Sequence, residues 1–466
     1  MNLRFFMQLL LFLALSASCD FGDTNLDPTR QTDAELKEIL PTALAQTSRN
    51  LASIGGRVTG TVIQHFKGID AQPESYSQYL IDERTLDQFW RTGLFGGAMK
   101  DCQNIIEKAK KSEQPHYEGI AKILMAVNLG IATSFWGEVP FKEAFNGLEN
   151  LQPVYDSQEA LYQSIQQLLN EAIEALNQPA SNNPPQEDDL IFGGDATKWI
   201  ATSKALQARY FLHLSKRRTE AAQDALNAIR AGAFQSLEQQ PDFPFSNNVN
   251  EANPLPLYNF ERPDQLAIGD FLHQLLKDEN DPRLSRYAVE IEGMPLLFDR
   301  DASSLYWGQF GAPLPLISLA EVKFIEAEAL LRLHRTEEAE TALREACITH
   351  FQQMNIPEPE YSVYLENHLH FLNATSFDQQ LELVLTQKYI ALFGQNPIEA
   401  WVDFRRTGYP ELQPATGANP SFNPSLVVPR RYLYPISERI SNETNFNAAI
   451  QRQGGHLMDV NIWAFK

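Results

Sequence analysis

The segment PLPLISLAEVKFIEAEALLRLHRTEEAETALREACITHF, residues 313–351, decides the fold. Leu319, Val322, Ile325, Ala329 and Leu333 recur every three or four residues, the spacing of one face of an α-helix. His334 to Glu337 is a short polar break, after which Ala339, Leu343, Ala346 and Ile348 mark a second apolar stripe. The pattern predicts two antiparallel helices. Ala327, Leu330, Ala339, Leu343 and Ala346 stand where the tetratricopeptide repeat takes small or medium apolar residues, which lets paired helices approach closely. Lys323 occupies the position where that repeat takes Trp, and no Pro closes the unit. Such a pair cannot bury both of its faces alone, so further helical pairs are expected beside it.

Working outward, helical periodicity is expected over residues 34–66, 86–111, 117–135, 157–177, 195–215, 219–231, 264–277, 377–393 and 397–405. The stretch 157–177 is the cleanest, with a cap at Asp156 or Ser157 and Pro179 ending it. Residues 67–84 read as an ordered loop, 234–263 as irregular chain over the helices, and the tail from Gly408 as mostly irregular. In 234–263, Phe243, Phe245, Leu257, Tyr258 and Phe260 are too apolar to stay solvated. Residues 286–292 and 294–298 suggest a small β-hairpin around Gly293. The fold class is all-α, with almost no strand and no evident domain boundary among the helices.

The 466 residues carry a net charge of −21, which argues against nucleic acid, whose phosphates require clustered Lys and Arg. The N-terminus departs from this average. Arg4 precedes a largely apolar run from Phe5 to Ala17, too short to span a bilayer and suited to a secretory signal. The run ends in LSASC, small residues directly before Cys19, similar to the cleavage box of a bacterial lipoprotein in which Cys19 is acylated. Residues 1–18 are accordingly expected to be the signal peptide, 19–32 a lipid-anchored polar tether (CDFGDTNLDPTRQT), and 33–466 one helical domain. Cys102 and Cys347 lie in amphipathic stretches and are expected to be buried thiols rather than a disulfide. No CxxC or HxxxH spacing suggests zinc.

Six segments, in this order, are shared with a known family: TSFWGEVPFKEAF (133–145), GGDATKWIATSKALQARYFLHLS (193–215), NDPRLSRY (280–287), LAEVKFIEAEALL (319–331), QKYIALFGQNPIEAWVDFRRTGYPEL (387–412) and PRRYLYPISERISNETNFNAA (429–449). Through them the chain resembles the SusD/RagB family, in the branch described as starch-binding proteins associated with the outer membrane. The resemblance implies about four tetratricopeptide-like helical pairs carrying a loop-rich ligand face. It implies a lipid-anchored protein on the surface of a Gram-negative cell, serving as the lid of a SusC-like TonB-dependent outer-membrane transporter. Such proteins bind a nutrient, usually an oligosaccharide, without cleaving it.

No GxSxG, GxGxxG or Walker loop is present, and 59 acidic residues make any chosen glycosidase-like carboxylate pair uninformative. No cofactor is expected. A secreted glycan-active hydrolase and a purely structural transporter partner are the alternatives to a binding protein. Arg283, in Asp281-Pro282-Arg283, is expected to fix a loop, and Arg405, Arg406, Arg430 and Arg431 to tie down the tail. Sugar binding needs flat aromatic faces beside amide, carboxylate or Arg groups, and loops carry such sites. Two stretches qualify: PESYSQYLIDERTLDQFW, with Tyr76, Tyr79 and Trp90, and SSLYWGQFG, with Tyr306, Trp307 and Phe310. Trp307 with Tyr306 is the leading candidate, expected exposed because no helical period explains it; Trp90 fits a core position at a helix start equally well.

Overall fold

In a computed structural model, which describes residues 34–291, 293–296, 305–372 and 374–466, helices begin where side chains can satisfy their first backbone N–H groups. Ser157 Oγ accepts from the Ala160 N–H at 3.3 Å, Asp195 from Thr197 at 2.9 Å, and Ser318 from Glu321 at 3.2 Å. The scaffold helices are α1 (Leu36–Ala52), α2 (Met99–Lys111), α3 (Pro115–Trp136), α4 (Gln158–Leu176), α5 (Ala196–His213), α6 (Ala221–Arg230), α7 (Leu319–Arg332), α8 (Thr336–Gln353), α9 (Phe377–Ala391) and α10 (Pro397–Thr407). They pack as the pairs α1–α2, α3–α4, α5–α6 and α7–α8. α7 also rests on α6 and α9, and α10 on a further helix, Ile54–Val62. This is the tetratricopeptide-like arrangement expected from residues 313–351, and Ala327, Leu330, Ala339, Leu343 and Ala346 are all buried at the seam. α3 is long and apolar enough to cross a membrane, but its most apolar stretch is wholly enclosed by other helices. It is the central core helix. The anchor residue Cys19 and the tether 19–32 lie outside the described residues.

Four two-stranded antiparallel ladders are present among the described residues. One is the hairpin expected around Gly293, with Val289 opposite Leu296 and Ile291 opposite Met294. Another pairs Phe66–Gly68 with Leu266–Ile268 and so fastens the segment after Ile54–Val62 to the middle of the chain.

Several irregular expectations are corrected. Residues 67–84 contain a helix, Ala71–Ser77; residues 234–263 contain Pro254–Glu261; and the tail contains Ile436–Ser441 and Glu443–Gln453. The helix Glu358–His368 had no counterpart in the reading. These helices are short, so few apolar turns repeat, and Pro254 at a first helical turn read as a loop marker. The expected helix 86–111 is divided: Phe89–Ala98 winds in the wide π form, and Gly97, at φ −106° and ψ −110°, breaks the path before α2.

A seam of buried charges joins the last two pairs to α9 and α10. Arg209 of α5 binds both carboxylate oxygens of Glu321 on α7 at 2.7 Å and donates to the Leu316 carbonyl at 3.0 Å. His213 Nε2 lies 2.7 Å from Glu399 of α10, and Lys388 of α9 lies 2.8 Å from Asp403. Arg406 of α10 grips Glu328 of α7 through both guanidinium ends and donates to Asp403 at 2.7 Å. Burial alone would raise the Glu328 pKa, but the guanidiniums of Arg406 and Arg332 outweigh it and hold the carboxyl well below its usual range. Buried ions in such a seam add little net stability over apolar residues, yet each penalises a register that leaves its partner unmatched.

Arg283 is also buried, held by Asp281 and donating to Gln387 at 2.7 Å and Tyr364 at 3.3 Å. It fixes its loop to α9, as its sequence context predicted. Arg405 behaves as expected of a tail clamp: it donates to the Arg430 carbonyl at 3.1 Å and lies 3.4 Å over the Trp401 ring. Arg406 departs from that expectation, because its partners are α7 and α10 rather than the tail. Cys102 and Cys347 are free and buried.

Candidate ligand-binding site

The C-terminal half of α1, the start of Ile54–Val62, the helix Ala71–Ser77 and residues 80–93 enclose a cavity of about 770 Å³. Its floor is an amide chain. Asn50 donates to the Gly93 carbonyl at 2.9 Å and to Asn128 at 2.8 Å, while Gln46 donates to Asn50 at 2.8 Å. One side is shaped by Asp82, whose Oδ1 accepts from the backbone N–H groups of Arg84 at 2.9 Å and Thr85 at 3.0 Å. The tail secures the same loop, with Ser437 N donating to Asp87 at 2.9 Å and Ile436 N to the Glu83 carbonyl at 3.1 Å. Tyr76, Gln72, Gln88, Ser75 and Thr85 complete the wall with amide and hydroxyl groups. Arg57 reaches in from Ile54–Val62, its guanidinium carbon 4.0 Å above the Tyr258 ring. Burial pulls the Arg57 pKa down to about 10, which leaves it charged at neutral pH. Amides, hydroxyls and a cation around a concave space can hydrogen-bond a polyhydroxylated ligand at many points.

The aromatic residues expected to face the ligand are mostly elsewhere. Tyr76 does line this cavity, although the residue is buried overall. Tyr79 and Trp90 are core. Trp90 lies 4.4 Å from the Phe95 ring, 4.8 Å from Trp136 and 6.3 Å from Tyr434, so the core alternative holds for it. Trp307, expected exposed, is only 3% exposed. Its ring lies on Gly394, in the turn between α9 and α10. A Cβ at that position would sit 2.4 Å from the indole, and the backbone there is left-handed at φ +74°. The glycine makes room for the ring, and a loop without helical period is drawn into the core by a partner distant in sequence. Tyr306 is half-buried, edge-on to Trp307 at 4.7 Å. It lines a second cavity of about 430 Å³ with Arg286, Gln309 and Asn355. Phe260, expected buried, is 42% exposed and meets Phe310 edge-on at 5.3 Å, so this ring pair is the exposed aromatic patch of the region. The two candidate loops thus line separate cavities.

Sequence reading missed Arg57, Gln46, Gln72 and Gln88. For Arg57 a signal existed. Its helical neighbours three and four residues away are Ser53, Ile54, Gly60 and Thr61, so no acid on its own helix can pair with it.

Residues 28–435 match the family model SusD-like_2, described as starch-binding associating with outer membrane. The chain belongs to this SusD-like family. Solved structures share its fold. A SusD/RagB family protein from Bacteroides thetaiotaomicron superposes with a TM-score of 0.76 at 22% identity, covering 93% of this chain and 99% of that one. A chitin-binding SusD homolog from Flavobacterium johnsoniae gives 0.79 at 18% identity, covering 92% and 98%. A Bacteroidetes SusD-like protein gives 0.79 at 20%, covering 93% and 100%. No curated protein sequence compared with the chain matches it. The SusD-like assignment agrees with the paired helices and with the loop-built cavities at their edge.

Proposed function

We propose that the chain is a glycan-binding surface lipoprotein that captures oligosaccharide for import, as the lid of a SusC-like TonB-dependent outer-membrane transporter. The family match over residues 28–435 carries this reading. The 770 Å³ cavity supports it, because its amide and hydroxyl wall suits a sugar better than an apolar ligand. Binding proceeds without bond cleavage, a reading supported by the family's description as starch-binding. The single helical domain 33–466 presents the cavity, and residues 19–32 tether it to acylated Cys19.

Two outcomes test the site and the anchor. Gln72 and Gln88 line the cavity and make no side-chain hydrogen bond within the protein among the described residues. Replacing both by Ala should weaken oligosaccharide binding at least tenfold, on the order of 1.4 kcal/mol, with little change in melting temperature. Titration calorimetry with an oligosaccharide panel measures this, and unchanged affinity would move the site elsewhere. Multiple acyl chains at ~0.8 kcal/mol per buried methylene make membrane attachment effectively stable. Cys19→Ala should therefore release the protein into the soluble fraction; retention on membranes after a high-salt wash would refute the anchor. Labelled oligosaccharides separate the alternatives. A binding lid retards the label and leaves it intact, a hydrolase creates new reducing ends, and a purely structural partner leaves its mobility unchanged.

A further inference from the structure

Among the described residues, Arg57 is one of few enclosed arginines that meet no carboxylate, and unlike Arg405 and Arg431 it lines a cavity. Arg209, Arg283 and Arg406 each meet a carboxylate. Arg405 meets backbone carbonyls instead. Among the described residues Arg57 makes no ion pair, and its guanidinium donates no hydrogen bond; it lies over the Tyr258 ring face. The carboxylates around it are already engaged. Asp82 is tied to the Arg84 and Thr85 backbone and lies 3.7 Å from the Arg84 guanidinium, and Glu261 pairs with Arg262 at 3.5 Å. Arg262, paired with Glu261, lies 5.2 Å from the same Tyr258 ring. The charged residues lining the cavity are Arg57, Arg84 and Asp82, a positive balance in a chain whose net charge is −21.

Stacking occupies one face of the Arg57 guanidinium. Its N–H donors lie in the ring plane, and that edge is what a planar or tripodal anion engages bidentately. Tyr258 fixes the group in orientation, so little ordering remains to be done on binding. The overall negative charge repels an approaching anion only over a Debye length, about 8 Å at physiological ionic strength, and inside the cavity the local positive charges are nearer.

We propose that the cavity selects an acidic glycan, one whose carboxylate or sulfate pairs with the Arg57 guanidinium while Gln72 and Gln88 bind neighbouring hydroxyls. This rests on the glycan-binding reading above and names the class of glycan. The test is titration calorimetry of the mature protein and of Arg57→Gln with three probes: oligogalacturonate, the same oligomers with their carboxyl groups reduced to alcohols, and a sulfated galactan oligosaccharide. The wild-type protein should bind at least one acidic probe tenfold or more tighter than the reduced oligomer, with affinity falling as salt rises. In Arg57→Gln that preference should fall to near parity, and Arg57→Lys should restore part of it. Preference for oligogalacturonate assigns a carboxylate, and preference for the galactan a sulfate. Equal wild-type affinity for charged and uncharged probes overturns the inference even if Arg57→Gln fails to fold, and so does a preference that survives in a folded Arg57→Gln. If the protein binds uncharged oligosaccharides as tightly as acidic ones, glycan binding stands and only the acidic selection fails. If it binds no oligosaccharide of either kind, the glycan-binding reading fails with it.

Discussion

Trp307→Ala should destabilise the protein by about 3–5 kcal/mol, the range for removing a large aromatic from a core. The side chain is buried on Gly394, its Nε1 has no hydrogen-bond partner, and Tyr306 covers it edge-on. The loss is therefore one of packing alone, with no hydrogen bond to remove. Denaturant unfolding measures it, and a fall of several degrees in melting temperature should accompany it. Gly394→Ala should reproduce the effect from the other side, since a methyl there meets the indole and the left-handed backbone together. Unchanged stability with lost oligosaccharide binding would instead return Trp307 to the ligand face.

Glu328→Ala should cost a similar amount, about 3–5 kcal/mol, because it leaves the Arg406 and Arg332 charges short of a partner in the core. Arg332 Nε donates to Glu328 at 2.7 Å, and Arg406 keeps the neutral Ser215 hydroxyl at 3.1 Å and Asp403, its one remaining carboxylate, which Lys388 already shares. Replacing Glu328 by Leu and Arg406 by Met together should cost less than Glu328→Ala alone, since the fully buried guanidinium leaves with its partner and only the partly exposed Arg332 loses its carboxylate. Denaturant midpoints of the single and double variants check this. A single-variant loss below about 1 kcal/mol would show that the seam is solvated rather than enclosed.

Both effects bear on what the sequence could reveal. The α7–α8 hairpin was legible because both stripes and the break between them fall within residues 319–348, roughly two helix lengths. The same stretch also held a signal that was passed over. Glu321 and Glu328 are seven apart, on one face beside the apolar stripe, and both are buried against the cations Arg209 and Arg406. Six segments in family order made the fold and family legible at once, and residues 28–435 match the family model. The candidate site was less legible. Tyr306 and Trp307 sit in one loop, but the burial of Trp307 is set by Gly394, far along the chain. Local sequence carries no term for that. Arg57 and the amides Gln72 and Gln88 belong to three different segments and converge only through the packing of α1, Ile54–Val62 and Ala71–Ser77. The short tail helices were missed because Ile436–Ser441 and Glu443–Gln453 each repeat their apolar positions too few times to show a period.

The most direct test is a crystal structure of the mature protein with the tightest-binding oligosaccharide from the panel. An intact glycan should occupy the 770 Å³ cavity, touching Gln72, Gln88 and Arg57. A glycan found cleaved, or seated in the Tyr306 cavity with the larger one empty, would contradict the account.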